Sequence, residues 1–409
     1  MSLVKSAAFN LVVTAALAFA AGCAGGDDAQ AVRARAQAEL RANRIADAER
    51  SVARLQRLRR PTDSDRLLRG QVAVARGRPD EALAELALVP NESPEAPAAR
   101  LLAGRVELRR NRFRHAERLL REAIRLYPRP TRSDRPDPNL IQAHRELVFI
   151  YGFQLRRAEI GAEFQALSRL TNLQFDDLFK WGLLKTDSYE PGEAAEALAN
   201  CIAVDPGDRW SRLALAESQR RLAQLDAAEK TLAPLAADDP EAIAGRARIA
   251  LDRGDAEAAA RLLAAGPAGD PALARLRGRL ALSRRDAASA ERQFRLALKF
   301  EPDSHEAVSG LIAALKLNGS IPALAALREQ AARLDRLQAL IQRAGLKKDR
   351  SNPELPILLG DACADLHRYD EARGWYRLAV GRDPLDTRAQ RALFHLDKAM
   401  AKEPARPAG

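Results

Sequence analysis

The sequence has few of the residues on which enzymes and metal sites depend. Its 409 residues include 3 cysteines, 5 histidines and 5% aromatic residues. It contains no HExxH, CxxC or GxSxG motif and no glycine-rich phosphate loop. The five histidines are not spaced as paired metal ligands. We therefore predict a protein that is not an enzyme and binds no cofactor or metal ion.

Runs of alternating Val, Ile and Thr, which indicate strands, are also absent. Hydrophobic residues make up 47% of the chain and charged residues 30%, which favours amphipathic helices with ample core material. Cys201 and Cys363 are expected to be buried thiols that lie too far apart for a disulfide.

A fixed spacing recurs along most of the chain. A small residue is followed twelve positions later by alanine, and a proline usually follows twelve residues after that alanine. The pairs are Ala36/Ala48, Gly70/Ala82, Gly104/Ala116, Gly182/Ala194, Ala216/Ala228, Ala247/Ala259, Gly278/Ala290 and Gly360/Ala372. The two longer gaps have room for degenerate units around Val148/Ile160 and Ile312/Leu324. This periodicity predicts a repeat architecture.

Each unit is long enough for two short helices. Isolated helices of three to four turns are marginal in water, so stability must come from stacking. Small residues where the two helices cross allow them to approach closely. Proline marks a helix boundary, because it cannot donate the backbone hydrogen bond of a helix interior.

This pattern resembles the tetratricopeptide repeat, a helix-turn-helix unit of 34 residues with small residues at positions 8 and 20 and proline at position 32. The resemblance implies an all-α, right-handed α-solenoid of about ten repeats over residues 31–384. It also implies a capping helix over 385–402 and a disordered tail at 403–409. The aromatic residues that the family often carries at positions 4 and 11 are missing.

The N-terminus resembles a bacterial lipoprotein signal. Residues 1–22 contain one basic residue, Lys5, and a short apolar run that suits a secretory signal better than a membrane span. The run ends at Cys23 after two small residues, as in a lipobox. The resemblance implies lipidation of Cys23, a flexible tether at 23–30 and a location on the periplasmic face of the outer membrane. The alternative is cleavage after Ala20, which would give a soluble periplasmic or secreted protein.

The charge of the chain is strongly basic, with 66 Lys+Arg against 55 Asp+Glu. Ten of the basic residues are lysines, so arginine supplies the other 56. One explanation is a genome-wide bias toward arginine on solvated helix faces. The other is functional, because the family lines its concave groove with the first helix of each repeat. Arginines occupy these positions at Arg105, Arg109, Arg220, Arg221, Arg275 and Arg279.

Such a groove would attract an acidic partner, and the arginine fork favours carboxylates or phosphates. Apolar residues fall on the same face, which suits an amphipathic or extended peptide. We therefore expect protein or peptide partners, with a lipid anchor as the contact to the membrane. The alternative is an anionic polymer such as an exported polysaccharide. Nucleic acid is not an expected partner.

Overall fold

The computed structural model describes residues 28–128, 136–185, 191–320, 322 and 324–401. Over these residues it shows 21 α-helices, one short 3₁₀ helix at Lys347–Asp349 and no strand. The prediction of an all-helical repeat fold is confirmed. The signal peptide at 1–22, Cys23 and the tail at 403–409 lie outside the described residues, so these predictions are untested. No helix within the described ranges is both long and apolar enough to cross a membrane.

The helices follow one another with short turns. Their bounds are α1 Ala29–Arg41, α2 Ile45–Leu58, α3 Asp63–Ala75, α4 Pro79–Ala87, α5 Ala96–Arg109, α6 Phe113–Leu126, α7 Pro138–Phe153, α8 Arg157–Leu170, α9 Phe175–Lys185, α10 Pro191–Val204, α11 Arg209–Arg221, α12 Leu225–Leu232, α13 Pro240–Asp252, α14 Ala256–Ala265, α15 Pro271–Ser283, α16 Ala287–Phe300, α17 His305–Leu317, α18 Leu324–Gly345, α19 Glu354–Asp365, α20 Tyr369–Arg382 and α21 Thr387–Met400.

Nine pairs of helices in the described ranges pack as helix-turn-helix hairpins. They are α1/α2, α3/α4, α5/α6, α7/α8, α11/α12, α13/α14, α15/α16, α17/α18 and α19/α20. The two degenerate units form hairpins like the others, as α7/α8 and α17/α18. The last helix, α21, packs on α19 and α20 at the position predicted for a capping helix.

The turn of every hairpin contains one residue in the left-handed backbone region, seven positions after the small residue of its unit. These nine residues are Asn43, Gly77, Asn111, Leu155, Ala223, Gly254, Arg285, Gly319 and His367, with φ between 55° and 79°. Only three are glycine, although glycine adopts this conformation most easily. The identical position in all nine turns shows that the repeat, rather than the residue type, dictates the turn.

Glycine at the small position is required by close contact with the second helix. A Cβ atom on Gly104 would lie 2.9 Å from Leu120, and one on Gly278 would lie 2.9 Å from Phe294. In both cases the contacted residue is sixteen positions later, on the paired helix. Glycine therefore lets a large apolar side chain of the second helix seat directly on the backbone of the first.

We predict that Gly360→Ala destabilises the protein, because the added Cβ would lie 2.4 Å from the Tyr376 ring. Overpacking of this kind costs about 1–3 kcal/mol. The matched control is Gly161→Ala in α8, where a Cβ meets no atom within 4 Å. That change should stabilise the protein by up to about 1 kcal/mol through helix propensity. Urea denaturation of the two variants measures both effects, and a stable Gly360→Ala protein would contradict the packing account.

The prediction of a tenth hairpin, at Gly182/Ala194, is wrong. Within the described ranges, α9 packs against α8, α18 and α20 instead of pairing with α10. A Cβ on Gly182 would lie 2.3 Å from Ile341 of α18, where the repeat predicts Leu198. Leu198 is instead buried with Ala214 and Leu215 of α11. The spacing that predicts a hairpin is present, but a helix from far along the chain occupies the partner position.

These long-range contacts bring the C-terminal repeats back to the middle of the chain. The Phe175 ring of α9 meets the Trp375 ring of α20 edge to face, with centroids 5.6 Å apart. One continuous apolar core contains residues from both 101–201 and 337–396. Helices α10 to α17 therefore form an arc whose far end is tied to α9 through α18. We call the packing of α9 against α18 and α20 the closure contact.

The near end of the arc joins the first repeats through buried polar groups. Arg156, at the start of α8, lies over the Trp210 ring of α11 at 4.6 Å and over the Tyr151 ring at 4.4 Å. Its guanidinium donates to Glu117 of α6 at 2.7 Å. Asp205, after α10, accepts from Arg114 of α6 at 3.0 Å. Both ends of the arc are thus fixed to the α6–α9 region.

Candidate functional site

The six predicted groove arginines fall into two places. Arg105 and Arg109 lie on α5, in the first part of the solenoid. The other four lie on α11 and α15, in the arc. Asp252 at the end of α13 joins these two helices, since it accepts from Arg220 and, at 3.5 Å, from Arg279. The first helices of three consecutive repeats therefore bring their polar side chains to one surface.

The arginines on this surface alternate with carboxylates. Glu217 accepts from Arg220 at 2.9 Å and from Arg221 at 3.0 Å. Arg275 is bonded to Glu301 and lies 3.6 Å from Glu306 of α17. The side chains of Glu217, Arg220, Arg221 and Arg275 are each no more than 24% exposed. The surface predicted as arginine-lined is thus a surface of alternating charge.

Two further arginines contribute to the same surface. Arg248 of α13 and Arg157 of α8 join Arg221 and Arg275 to form what we call the central arginine cluster. Burial lowers the pKa of Arg157, and the charges of the other three members lower it further. Burial is also the main cause that lowers the pKa of Arg248, with Arg275 adding to it. Helices α8, α11, α13 and α15 therefore bring positive charge to one region, in which Arg157 is exposed and the other three arginines are half-buried.

The cluster has a clear electrostatic consequence. Like charges held close together repel one another, and Glu217 and Glu301 offset only part of this repulsion by pairing with Arg221 and Arg275. A bound anion would relieve this repulsion. The planar guanidinium would give it paired, charge-assisted hydrogen bonds. The arrangement is suited to binding acidic groups.

Sequence reasoning missed both additional arginines for different reasons. Arg248 directly follows the small residue Ala247, as Arg105 follows Gly104 and Arg279 follows Gly278. The repeat spacing could therefore have found it. Arg157 begins the second helix of its repeat, which in a regular solenoid does not line the groove. Only the observed path of the arc places it there.

The α5–α7 surface combines arginine with an exposed aromatic ring. Arg105 lies 3.2 Å from Glu146 of α7. Arg109 lies one turn further along α5, and no carboxylate of the described chain is within ion-pair distance of it. Burial and the charge of Arg105 lower the pKa of Arg109. Phe149, one turn beyond Glu146, is 53% exposed. Arg105 and Arg109 thus form a second, separate surface.

Elsewhere in the described chain, the histidine and cysteine side chains that could carry chemistry are packed or paired with other residues. Among the described residues, no group of three His, Cys, Asp or Glu side chains could hold a metal ion. Cys201 and Cys363 are buried, as predicted. Burial raises the pKa of Cys201 to about 12, so its thiol is not a nucleophile at neutral pH. His144 is partly buried in a 2.5 Å pair with Glu163, which orients its ring.

Comparison with protein families identifies the repeats. Family models described as tetratricopeptide repeat match residues 67–129, 186–249 and 313–387. The chain therefore carries tetratricopeptide repeats, and the predicted resemblance is confirmed for this part of the protein. Repeats of this kind generally form non-enzymatic scaffolds for protein–protein interaction. No curated protein matches the sequence significantly.

Solved structures with a similar arrangement of helices have low TM-scores against this chain. The matching chain in the structure of the APC/C hetero-tetramer Cut9–Hcn1 is 12% identical to this chain. The match covers 90% of each chain, with a TM-score of 0.35. A tetratricopeptide repeat protein from Parabacteroides merdae is 15% identical over 62% of this chain and 98% of its own, with a TM-score of 0.32. Yeast Tom70 is 11% identical over 91% of this chain and 96% of its own, with a TM-score of 0.29. Scores this low carry no information on function.

The pairing of Glu217 predicts a pH dependence of stability. Burial alone would raise its pKa, but hydrogen bonds from Arg220 and the charge of Arg248 lower it to about 2. The stabilisation is therefore complete above the ordinary glutamate pKa near 4.5 and is lost as the pH falls toward 2. We expect Glu217→Gln to lose up to about 3 kcal/mol of stability at pH 7 and little at pH 2.

Urea denaturation at several pH values measures this difference. The exposed Glu257 in the first turn of α14 provides the control, since its ion pair is with the half-exposed Arg284. Glu257→Gln should leave the pH profile unchanged. If Glu217→Gln had the same effect at pH 2 as at pH 7, the carboxylate would not be the stabilising form.

Proposed function

We propose that the protein is a non-enzymatic scaffold that binds an acidic segment of a partner protein on the inner surface of the arc. The observation that carries this proposal is the central arginine cluster, to which four different helices contribute. Glu217 and Glu301 already pair with Arg221 and Arg275, and arginines still outnumber carboxylates on this surface, so it would attract an acidic ligand. An excess of arginine on one surface, contributed by four helices, is consistent with a binding role.

The charge pattern favours a protein segment over a uniformly charged polymer. Glu217, Asp252 and Glu301 lie among the arginines and would repel a chain with a negative charge on every unit. A peptide can space its acidic residues to face the arginines and place neutral or apolar residues beside the carboxylates. Complementarity of this kind gives specificity as well as attraction.

The salt dependence of binding tests the choice between these partners. A fluorescein-labelled peptide of alternating glutamate and leucine would be compared with a labelled anionic polysaccharide of similar length, by fluorescence anisotropy. We expect the peptide to bind more tightly and to lose affinity only moderately between low and physiological salt, because apolar contacts are not screened. Tighter binding of the polysaccharide, with steep weakening by salt, would support the polymer and overturn our proposal.

We further propose that acylated Cys23 holds the scaffold at the periplasmic face of the outer membrane. The support is the apolar segment that ends in two small residues before Cys23. Attachment of two or three acyl chains gives stable anchoring, whereas a single chain gives only marginal membrane affinity. The short Gly-rich segment that follows would let the solenoid reach partners in the periplasm.

Cys23→Ser should move the protein from the membrane fraction to the soluble periplasmic fraction. The reason is that serine cannot carry the thioether-linked lipid. Immunoblots of fractionated cells measure the distribution, and Cys201→Ser is the control because that buried thiol is far from any anchor. Recovery of Cys23→Ser in the membrane fraction would contradict lipid anchoring.

A further inference from the structure

The closure contact creates an open cleft that no regular solenoid would contain. One wall is the C-terminal end of α8, residues 168–172, and the other is formed by α20 and α21. The cleft has a volume of about 510 Å³. This is within the range of small-molecule sites in proteins. Its two walls are some 200 residues apart in the chain, so the cleft exists only when the C-terminal repeats have returned to α8.

Two arginines from opposite walls contribute positive charge to the cleft. Arg169 comes from α8 and Arg377 from α20. Neither has a carboxylate within ion-pair distance in the described part of the chain. Arg377 donates a long hydrogen bond, 3.5 Å, to the carbonyl oxygen of Ser168. Burial and the charge of Arg373 lower the pKa of Arg377, and the more distant Asp397 opposes this only in part.

The remaining lining supplies apolar surface and hydroxyl groups. Leu170, Val380 and Leu393 contribute aliphatic side chains, and Thr171 contributes a hydroxyl. Gly381 also lines the cleft, and a Cβ on it would meet no atom within 4 Å. The cleft thus combines three aliphatic side chains with polar groups and has a cationic group from each wall.

We propose that this cleft binds a small carboxylate with an aliphatic chain, of the kind found in medium-chain fatty acids. The carboxylate would lie between Arg169 and Arg377, and the chain would cover Leu170, Val380 and Leu393. Arginine favours a carboxylate because both oxygens can accept from one guanidinium. Because the ligand contacts both walls, it also stabilises the closure contact. This site is separate from the central arginine cluster.

Calorimetric titration of the full chain carrying Cys23→Ser, which avoids an attached lipid, tests the proposal. The probes are decanoate, decanol and acetate, which separate the charge from the aliphatic chain. We expect saturable binding of decanoate, and at least about tenfold weaker binding of the other two, since decanol lacks the carboxylate and acetate lacks the aliphatic chain. Decanoate should also raise the melting temperature.

Two variants locate the site. Arg377→Met removes the charge, and Gly381→Leu fills the cleft at a position where the backbone tolerates a side chain. Each should weaken decanoate binding about tenfold or more, while Arg328→Met, at an exposed position of α18, should not. Circular dichroism establishes that each variant is folded. No saturable binding to the unmodified cleft, equal binding of decanol, or unchanged binding to folded Gly381→Leu would each overturn the proposal.

Discussion

Replacing Trp375 with alanine is expected to lower the free energy of unfolding by about 3–5 kcal/mol. The side chain is fully buried in α20 and contacts the Phe175 ring of α9 edge to face. Its removal leaves a cavity at the closure contact, which cannot collapse because helices from two distant parts of the chain surround it. Urea denaturation measures the loss of stability.

Phe394→Ala serves as the control, because this aromatic ring on α21 is 65% exposed. Surface substitutions of this kind usually change stability by less than about 0.5 kcal/mol. A loss of less than about 1 kcal/mol for Trp375→Ala would mean that α20 does not pack on α9 in solution. In that case the arc would be open at one end.

Replacing Arg156 with methionine is expected to cost about 3–5 kcal/mol, because it breaks a buried ion pair. Its side chain is 5% exposed and donates to Glu117 at 2.7 Å and to Glu159 at 2.9 Å. The substitution also removes the cation from its position over the rings of Tyr151 and Trp210. Since Arg156 joins α8 to α11, this variant tests the near end of the arc.

A double variant separates the lost ion pair from the lost packing. Adding Glu117→Gln removes the negative charge that has lost its partner Arg156. Part of the stability should therefore return. Urea denaturation of the two single variants and the double variant gives the coupling energy. Additive losses would contradict a direct interaction between Arg156 and Glu117.

The repeat fold could be predicted because it depends on local spacing. Alanine at the crossing point, glycine opposite a bulky residue and proline at the boundary recur in register, and each acts within one hairpin. The contact between Gly104 and Leu120 is of this kind.

The closure contact could not be predicted in this way. Gly182 has the spacing of an ordinary hairpin, with Leu198 sixteen residues later, yet it packs against Ile341. Both are branched apolar residues on helices of the same amphipathic pattern, so periodicity does not distinguish between them. The choice depends on the summed packing of α9, α18 and α20, which no local pattern contains.

The candidate site could be predicted only in part, because local spacing places some of its arginines and the closed arc places another. Arg221 and Arg275 were found because they lie at groove positions of regular repeats. Arg157 was missed because the closed arc, rather than its own repeat, brings it to the inner surface. The neutralising partners Asp252 and Glu306 were missed because they belong to neighbouring repeats.

The affinity of the labelled glutamate–leucine peptide for a double variant of the arc tests the central claim most directly. Arg248→Ser with Arg275→Ser removes two members of the central arginine cluster. Arg261→Ser with Arg295→Ser removes the same charge from exposed positions on the second helices of their repeats. We predict at least tenfold weaker binding for the first variant and unchanged binding for the second. Equal affinities for the two variants would show that net charge, and not this inner surface, attracts the peptide.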